Sequence, residues 1–208
     1  MFKHRNKTIQ KILVPTLEFL ALAIVAYLLV LPLYPKLKYK QDYRELAVLP
    51  EAEERAIIRE QVAEFKAALP ENEFDVSPNR LIIPKIGVNA PIVESKSEAY
   101  GLSQGAWLMP DSAKPGAAGN SVITAHRFKY LPPHNLTFYL IDKLKPGDLV
   151  STVFNGQEYL YRVRETKIVD DEDLSILDPT EEPVLTLFSC HPVYSTEQRF
   201  VVVGDLVN

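Results

Sequence analysis

D-L-V-S-T-V-F-N-G-Q-E-Y-L-Y-R-V, Asp148 to Val163, sets two strand-like runs on either side of Asn155-Gly156. Asparagine and glycine tolerate the positive φ that a two-residue turn demands at its centre, so the stretch predicts a tight β-hairpin. Outward from the hairpin, R-L-I-I-P-K-I-G-V, Arg80 to Val88, reads as a strand in which Pro84 marks an edge or a bulge. Further strands are expected at Thr166 to Val169, Val184 to Cys190 and Arg199 to Val207. Short strands at this spacing, with no helix-length periodicity after Asn79, predict an all-β barrel or sandwich over 80–208.

The segments ahead of that domain read differently. Lys3, Arg5, Lys7 and Lys11 form a basic leader, 1–11, before an apolar run at 12–34 that is broken mainly by Glu18. A bilayer crossing takes about 20 apolar residues, so the run predicts a transmembrane signal anchor. The competing reading is a cleaved signal peptide, with Ala21-Leu22-Ala23 as its cleavage site. Cutting there leaves only a short apolar core, interrupted by Pro15 and Glu18. Lys36, Lys38 and Lys40 follow the run, and the slightly larger basic bias before it places the N-terminus inside and the domain outside. Residues 35–79 predict a helical stalk and linker: Ile58, Val62, Phe65 and Leu69 share one face of an amphipathic helix that Pro70 closes. That helix is expected to be a stalk or a brace against the domain.

A formal net charge of -4 supplies no basic excess for a phosphate backbone, which argues against a nucleic-acid partner. The single cysteine, Cys190, cannot form an internal disulfide, and no Cys/His cluster has zinc spacing. The thiol is therefore an inert packed side chain, a nucleophile, or half of an intermolecular bridge.

Its context favours chemistry. In P-V-L-T-L-F-S-C-H-P, Pro183 to Pro192, the residues Val184, Thr186, Phe188 and Cys190 share one face by alternation, and Pro192 ends the strand. Cys190 thus sits at a sheet rim, and Arg199, at the start of the next strand, returns beside it if the two strands pair. A guanidinium there can hold carbonyl oxygens or an oxyanion. A thiol near pKa 8.5 also needs a proton partner. His191 is a neighbour on an extended chain and points to the opposite face, while His134 lies in the loop L-P-P-H-N-L. His126, ending the apolar run S-V-I-T-A, is at a second rim and is the best placed.

Thr186-Leu187-Phe188-Ser189-Cys190 resembles the T-L-x-T-C motif of sortases, with Ser189 where threonine is usual. Gly119 to Arg127, G-N-S-V-I-T-A-H-R, is similar to the family's G-N-x-V-I-x-G-H-R segment, with Ala125 for the usual glycine. Arg199 matches the family arginine, and G-A-W-L-M-P-D-S-A-K-P-G, Gly105 to Gly116, resembles the segment upstream of the histidine. The resemblance implies a closed β-barrel of about eight strands with short helices, tethered on the extracytoplasmic face of the membrane. It also implies a cysteine transpeptidase that cleaves an LPxTG- or LAxTG-like sorting signal through a thioester and passes the acyl group to a cell-wall amine. In that scheme Cys190 is the nucleophile, His126 the acid and base, Arg199 the charge-stabilising residue, and Ser189 and Thr186 substrate-contacting positions. The partners are sorting-signal-bearing secreted proteins and an amine acceptor.

Cys190-His191-Pro192 with Tyr194-Ser195 and Gln198-Arg199 resembles class E sortases. No second apolar span appears before Asn208 and no aspartate-aromatic lid motif precedes the barrel, which favours a class E-like or housekeeping enzyme over a pilin-polymerising one. The alternative outside enzymology is a non-catalytic surface-binding domain. No cofactor is expected. Asp170-Asp171-Glu172-Asp173 invites comparison with the calcium sites of some class A sortases, but reads better as the cap of the short segment Leu174 to Leu177. Trp107 reads as a packing residue.

Overall fold

The computed structural model describes residues 2–30, 33, 34, 37, 50–68, 79–129 and 136–207. The chain divides into two units, Met1–Asp42 and Tyr43–Asn208. The first carries helix α1, Phe2–Val30, with Pro15 inside it and Leu17, Phe19, Leu20 and Leu22 exposed. The apolar run expected to span a bilayer, 12–34, falls partly outside the described residues. Among the described residues no helix is long and apolar enough to cross a membrane.

In the second unit, helix α2 (Glu51–Ala68) precedes eight strands. These are β1 (Arg80–Ile83), β2 (Val88–Glu94), β3 (Ala106–Leu108), β4 (Gly119–Thr124), β5 (Leu149–Phe154), β6 (Gln157–Asp170), β7 (Pro183–His191) and β8 (Gln198–Leu206), with a short helix α3 (Glu98–Gln104) between β2 and β3. They close into one barrel in the order β1-β2-β3-β4-β7-β8-β6-β5, which settles the choice between barrel and sandwich. The pairs β2–β3 and β4–β7 are parallel and the others antiparallel.

The Asn155-Gly156 turn joins β5 to β6 as expected, with φ of 51° and 79° at its two residues. Three other elements differ from expectation. Pro84 sits inside no strand: β1 stops at Ile83, Pro84–Ile86 form a 3-10 turn, and Gly87 in the left-handed region hands the chain to β2. Proline suits the first position of such a turn because its missing N–H has no partner to lose there. Thr166–Val169 is part of β6, which continues past a register shift between Val163 and Glu165. That shift interrupts the two-residue alternation and made one strand read as two. Helix α3 was not anticipated; Ser97 caps it, its Oγ accepting from the Tyr100 N–H at 3.3 Å.

Every residue of β5 is buried, because α2 lies over the outer face of β1 and β5. Ile58 and Val62 pack with Ile82, Leu149, Val153 and Leu160, so the amphipathic helix is a brace on the barrel. Burying side chains of this size stabilises by roughly 1.5–3 kcal/mol each. Glu54 enters the same interface and accepts a hydrogen bond from the Leu149 N–H at 3.3 Å. On β3, Trp107, 6% exposed, donates from Nε1 to the Ser95 carbonyl at 2.8 Å. Its indole lies against Gly101 of α3, where an added Cβ would come within 2.2 Å of Cδ1.

Two outcomes follow from these contacts. Gly101→Ala forces Trp107 or α3 to move and lowers stability by about 1–3 kcal/mol in a thermal melt. Burial, the largest cause, raises the Glu54 carboxyl above its ordinary range. A raised folded pKa means that the stability is present in acid and lost as pH climbs through that pKa. Glu54→Gln therefore melts higher than the parent at neutral pH, and the difference closes as pH falls below the ordinary glutamate range.

Candidate active site

Cys190 and His126 reach one end of the barrel on neighbouring parallel strands. In the β4–β7 ladder Thr124 stands opposite Phe188, so His126 and Cys190 each follow two residues beyond that pair. Two parallel strands leave their C-terminal ends at the same rim. The ladder stops there, and side chains continue the stitching. Thr124 Oγ1 donates to the Phe188 carbonyl at 2.9 Å, Ser189 Oγ to the Ala125 carbonyl at 2.7 Å, and Arg127 Nη1 to the Cys190 carbonyl at 3.0 Å. The loop after β4 is fixed from the other side, where the Phe138 N–H donates to the His126 carbonyl at 2.9 Å.

Arg199 stands directly opposite Cys190 in the antiparallel β7–β8 ladder. Residues so paired project from the same face with Cβ atoms about 4.5–5.5 Å apart. Nη1 of Arg199 donates to the carbonyls of Thr196 (2.7 Å) and Gln198 (3.0 Å), and Nη2 lies 3.9 Å from the Asp171 carboxylate. The guanidinium is thereby held at the rim while remaining partly exposed.

Cys190 is a partly buried free thiol, which leaves it reachable. His126 is partly buried too; burial first, then the Lys129 cation, pull its imidazole below the ordinary histidine range, while Glu98 of α3 opposes them. The neutral ring that results is a competent proton acceptor at physiological pH. His191 points away, with Nδ1 3.0 Å from Arg127 Nη1, as alternation along the strand requires. His134 lies outside the described residues.

Two other expected residues are placed differently from the reacting trio. Ser189 is 1% exposed and its hydroxyl is taken up by Ala125, so in this structure it is a strut between β4 and β7. Thr186, 2% exposed, lines a cavity of about 110 Å³ under the β6–β7 connection, together with Asn120, Ile176 and Val201. Of the acidic run, Asp173 caps the turn Leu174–Leu177 through the Ser175 N–H at 3.0 Å, and Asp171 faces Arg199. Among the described residues no group of three His, Cys, Asp or Glu side chains is arranged to hold a metal ion.

Asn120 and Arg127 lie within the G-N-S-V-I-T-A-H-R segment, which by itself assigns them no role. Asn120 Nδ2 donates to the carbonyls of Ile176 (3.0 Å) and Asp178 (3.1 Å), pinning the β6–β7 connection over the face that carries Cys190. Arg127 is 2% exposed, with Nη2 2.9 Å from the Asp142 carboxylate. An arginine directly after an apolar strand and its histidine was the available signal, but its acceptors lie on segments far off in the chain.

The family model described as sortase domain matches residues 81–207. This chain belongs to the sortase family. It is 30% identical to Sortase A of Listeria monocytogenes over 132 residues, 64% of this chain and 57% of that protein. To Sortase D of Bacillus subtilis it is 32% identical over 131 residues, covering 61% of this chain and 62% of the relative. The match thus spans about three fifths of the curated relatives' length. The solved structure of Listeria monocytogenes sortase A superposes with a TM-score of 0.54 at 28% identity, over 64% of this chain and 89% of that one. The closed eight-stranded barrel with short helices is the sortase fold.

The charges around His126 make its titration adjustable in both directions. Followed by NMR of the imidazole, Lys129→Gln moves the His126 midpoint to higher pH and Glu98→Gln moves it lower, with Cys190 replaced by alanine in both so that the thiol does not titrate alongside.

Proposed function

We propose that this sortase is a membrane-tethered cysteine transpeptidase for an LPxTG- or LAxTG-like sorting signal. The observation that carries the reading is the rim itself: Cys190 opposite Arg199 on β8, and His126 at the matching end of β4. Neutral His126 takes the proton of the Cys190 thiol, the thiolate adds to the carbonyl carbon of the scissile Thr–Gly bond, and the resulting oxyanion meets the Arg199 guanidinium. Charge developing at that oxygen is where a fixed cation lowers the barrier. The C–N bond then breaks as protonated His126 gives its proton to the leaving amine, leaving a Cys190 thioester. An incoming amine attacks the thioester while neutral His126 takes its proton, and the new amide forms as the thiolate departs. Return of that proton to the Cys190 thiolate restores the thiol and the neutral His126, so bonds and protons balance over the two halves.

The acceptor in this reading is an amine of the cell wall, and the donors are secreted proteins carrying the signal. His191-Pro192 and Gln198-Arg199 support a class E-like or housekeeping role over pilin polymerisation. The basic leader and the apolar run at 12–34 support a tether with the barrel on the extracytoplasmic side.

Incubating the protein with LPxTG and LAxTG peptides, with and without an amine acceptor, tests the reading by mass spectrometry. The expected products are a cleaved peptide and, with the amine, a ligated one; Cys190→Ala abolishes both, and His126→Ala or Arg199→Ala lowers the rate by at least about 10²-fold. Hydrolysis alone, whatever amine is offered, would point to a thiol protease and overturn the assignment.

A further inference from the structure

Arg127 adjoins both strand ends that carry the reacting residues, yet it is almost wholly buried and its guanidinium meets His191, which alternation places on the face opposite Cys190. It follows His126 in sequence, and its Nη1 holds the Cys190 carbonyl at 3.0 Å. The same Nη1 meets His191 Nδ1 at 3.0 Å, Nη2 pairs with Asp142 at 2.9 Å, and Nε reaches the Tyr139 carbonyl at 3.4 Å. The Phe200 ring of β8 lies 6.0 Å from the guanidinium carbon.

A buried guanidinium carries a desolvation cost of several kcal/mol, and apolar side chains of similar volume often fill such a site with equal or better stability. Packing alone therefore gives no account of a cation here. What distinguishes arginine is a rigid fork of five donors. Four different acceptors use that fork, and they come from two stretches of chain: the rim of β7 (Cys190, His191), and Tyr139 and Asp142 in the segment that follows the His126 loop. The Tyr139 and Asp142 segment is itself tied to His126, since the Phe138 N–H donates to the His126 carbonyl.

We propose that Arg127 is a positioning residue for acyl transfer, a buried fork that locks the His126 end of β4 to the Cys190 end of β7 and is itself held by Asp142. The proposal rests on the transpeptidase reading for its meaning, but the contacts that carry it do not. The β4–β7 ladder ends one turn of alternation short of the reacting residues, at Thr124 and Phe188. Beyond it the Arg127 bond to the Cys190 carbonyl replaces the missing ladder bond. Because a guanidinium has no acceptor, His191 must present Nδ1 unprotonated to it, which places the His191 proton on Nε2. Burial and the neighbouring Arg127 charge lower the His191 imidazole accordingly, so the network is assembled at neutral pH. The ionisable groups facing His191 in it are Arg127 and Asp142, with the Phe200 ring tilted at 42° and its centroid 5.9 Å away.

The test compares the parent with Arg127→Lys, Arg127→Met, Asp142→Asn, His191→Asn and His191→Ala. Three readouts are taken: thermal midpoint, kcat and KM on the sorting peptides, and the rate of Cys190 alkylation by iodoacetamide. A misplacement of about 1 Å costs on the order of 10²-fold in rate, so Arg127→Met is expected to lose about that factor in kcat with KM within about threefold. Arg127→Lys and Asp142→Asn fall between it and the parent, and His191→Asn, which keeps an acceptor for Arg127, is faster than His191→Ala. Alkylation slows in the same order. Asp142→Asn carries the prediction by itself if Arg127→Met melts below the assay temperature. Folded variants with kcat within twofold of the parent, or a loss confined to KM, overturn the proposal. If the parent cleaves no peptide the transpeptidase reading fails, and the alkylation series still decides on Arg127: equal rates across the variants refute it.

Discussion

The parallel pairing of β4 with β7 is the constraint on which the site depends. Parallel neighbours deliver their ends to one rim, and only that arrangement brings a histidine after Thr124 and a cysteine after Phe188 together although 64 positions separate them in the chain. The antiparallel return of β8 then adds Arg199 opposite Cys190 at no further topological cost. A parallel pair requires a long crossover, and the chain between β4 and β7 uses it to build β5, β6 and the pinned turn at Leu174–Leu177. The barrel is thus the means by which three distant residues acquire a common edge.

Around that edge the electrostatics divide into two layers. On the outer face, Arg199 stays partly exposed, held by two carbonyls and leaning toward Asp171, where a ligand oxygen can compete for it. On the inner side, Arg127 is enclosed and fully engaged. The same residue type therefore serves as a responsive charge in one place and as a rigid strut in the other. Burial and the number of fixed acceptors make the difference, since a guanidinium remains cationic in both.

Local chemistry made much of this readable. The Asn155-Gly156 turn, the rim position of Cys190, the opposite orientation of His191 and the pairing of Cys190 with Arg199 follow from alternation and turn preferences that operate over a few residues. What escaped the sequence was interrupted or remote. The register shift near Arg164 split β6, because alternation fails there by construction, and Pro84, which reads in sequence as an edge or bulge within one strand, instead opens a turn between two. The strut that Ser189 forms to the Ala125 carbonyl on the next strand has no signature in its motif position. Asn120 and Arg127 carry no local signature of their acceptors, which lie on the segments around Ile176 and Asp142 and become neighbours only once the barrel closes.

The three bonds that extend the β4–β7 ladder share one property: each ends on a main-chain carbonyl, at Phe188, Ala125 or Cys190. The side chains of Ala125 and Phe188 take no part in those bonds. The surface beside the nucleophile is in this sense decoupled from the frame that aligns it, so its shape can drift, or be redesigned for a different peptide, while the alignment of thiol and imidazole is inherited unchanged.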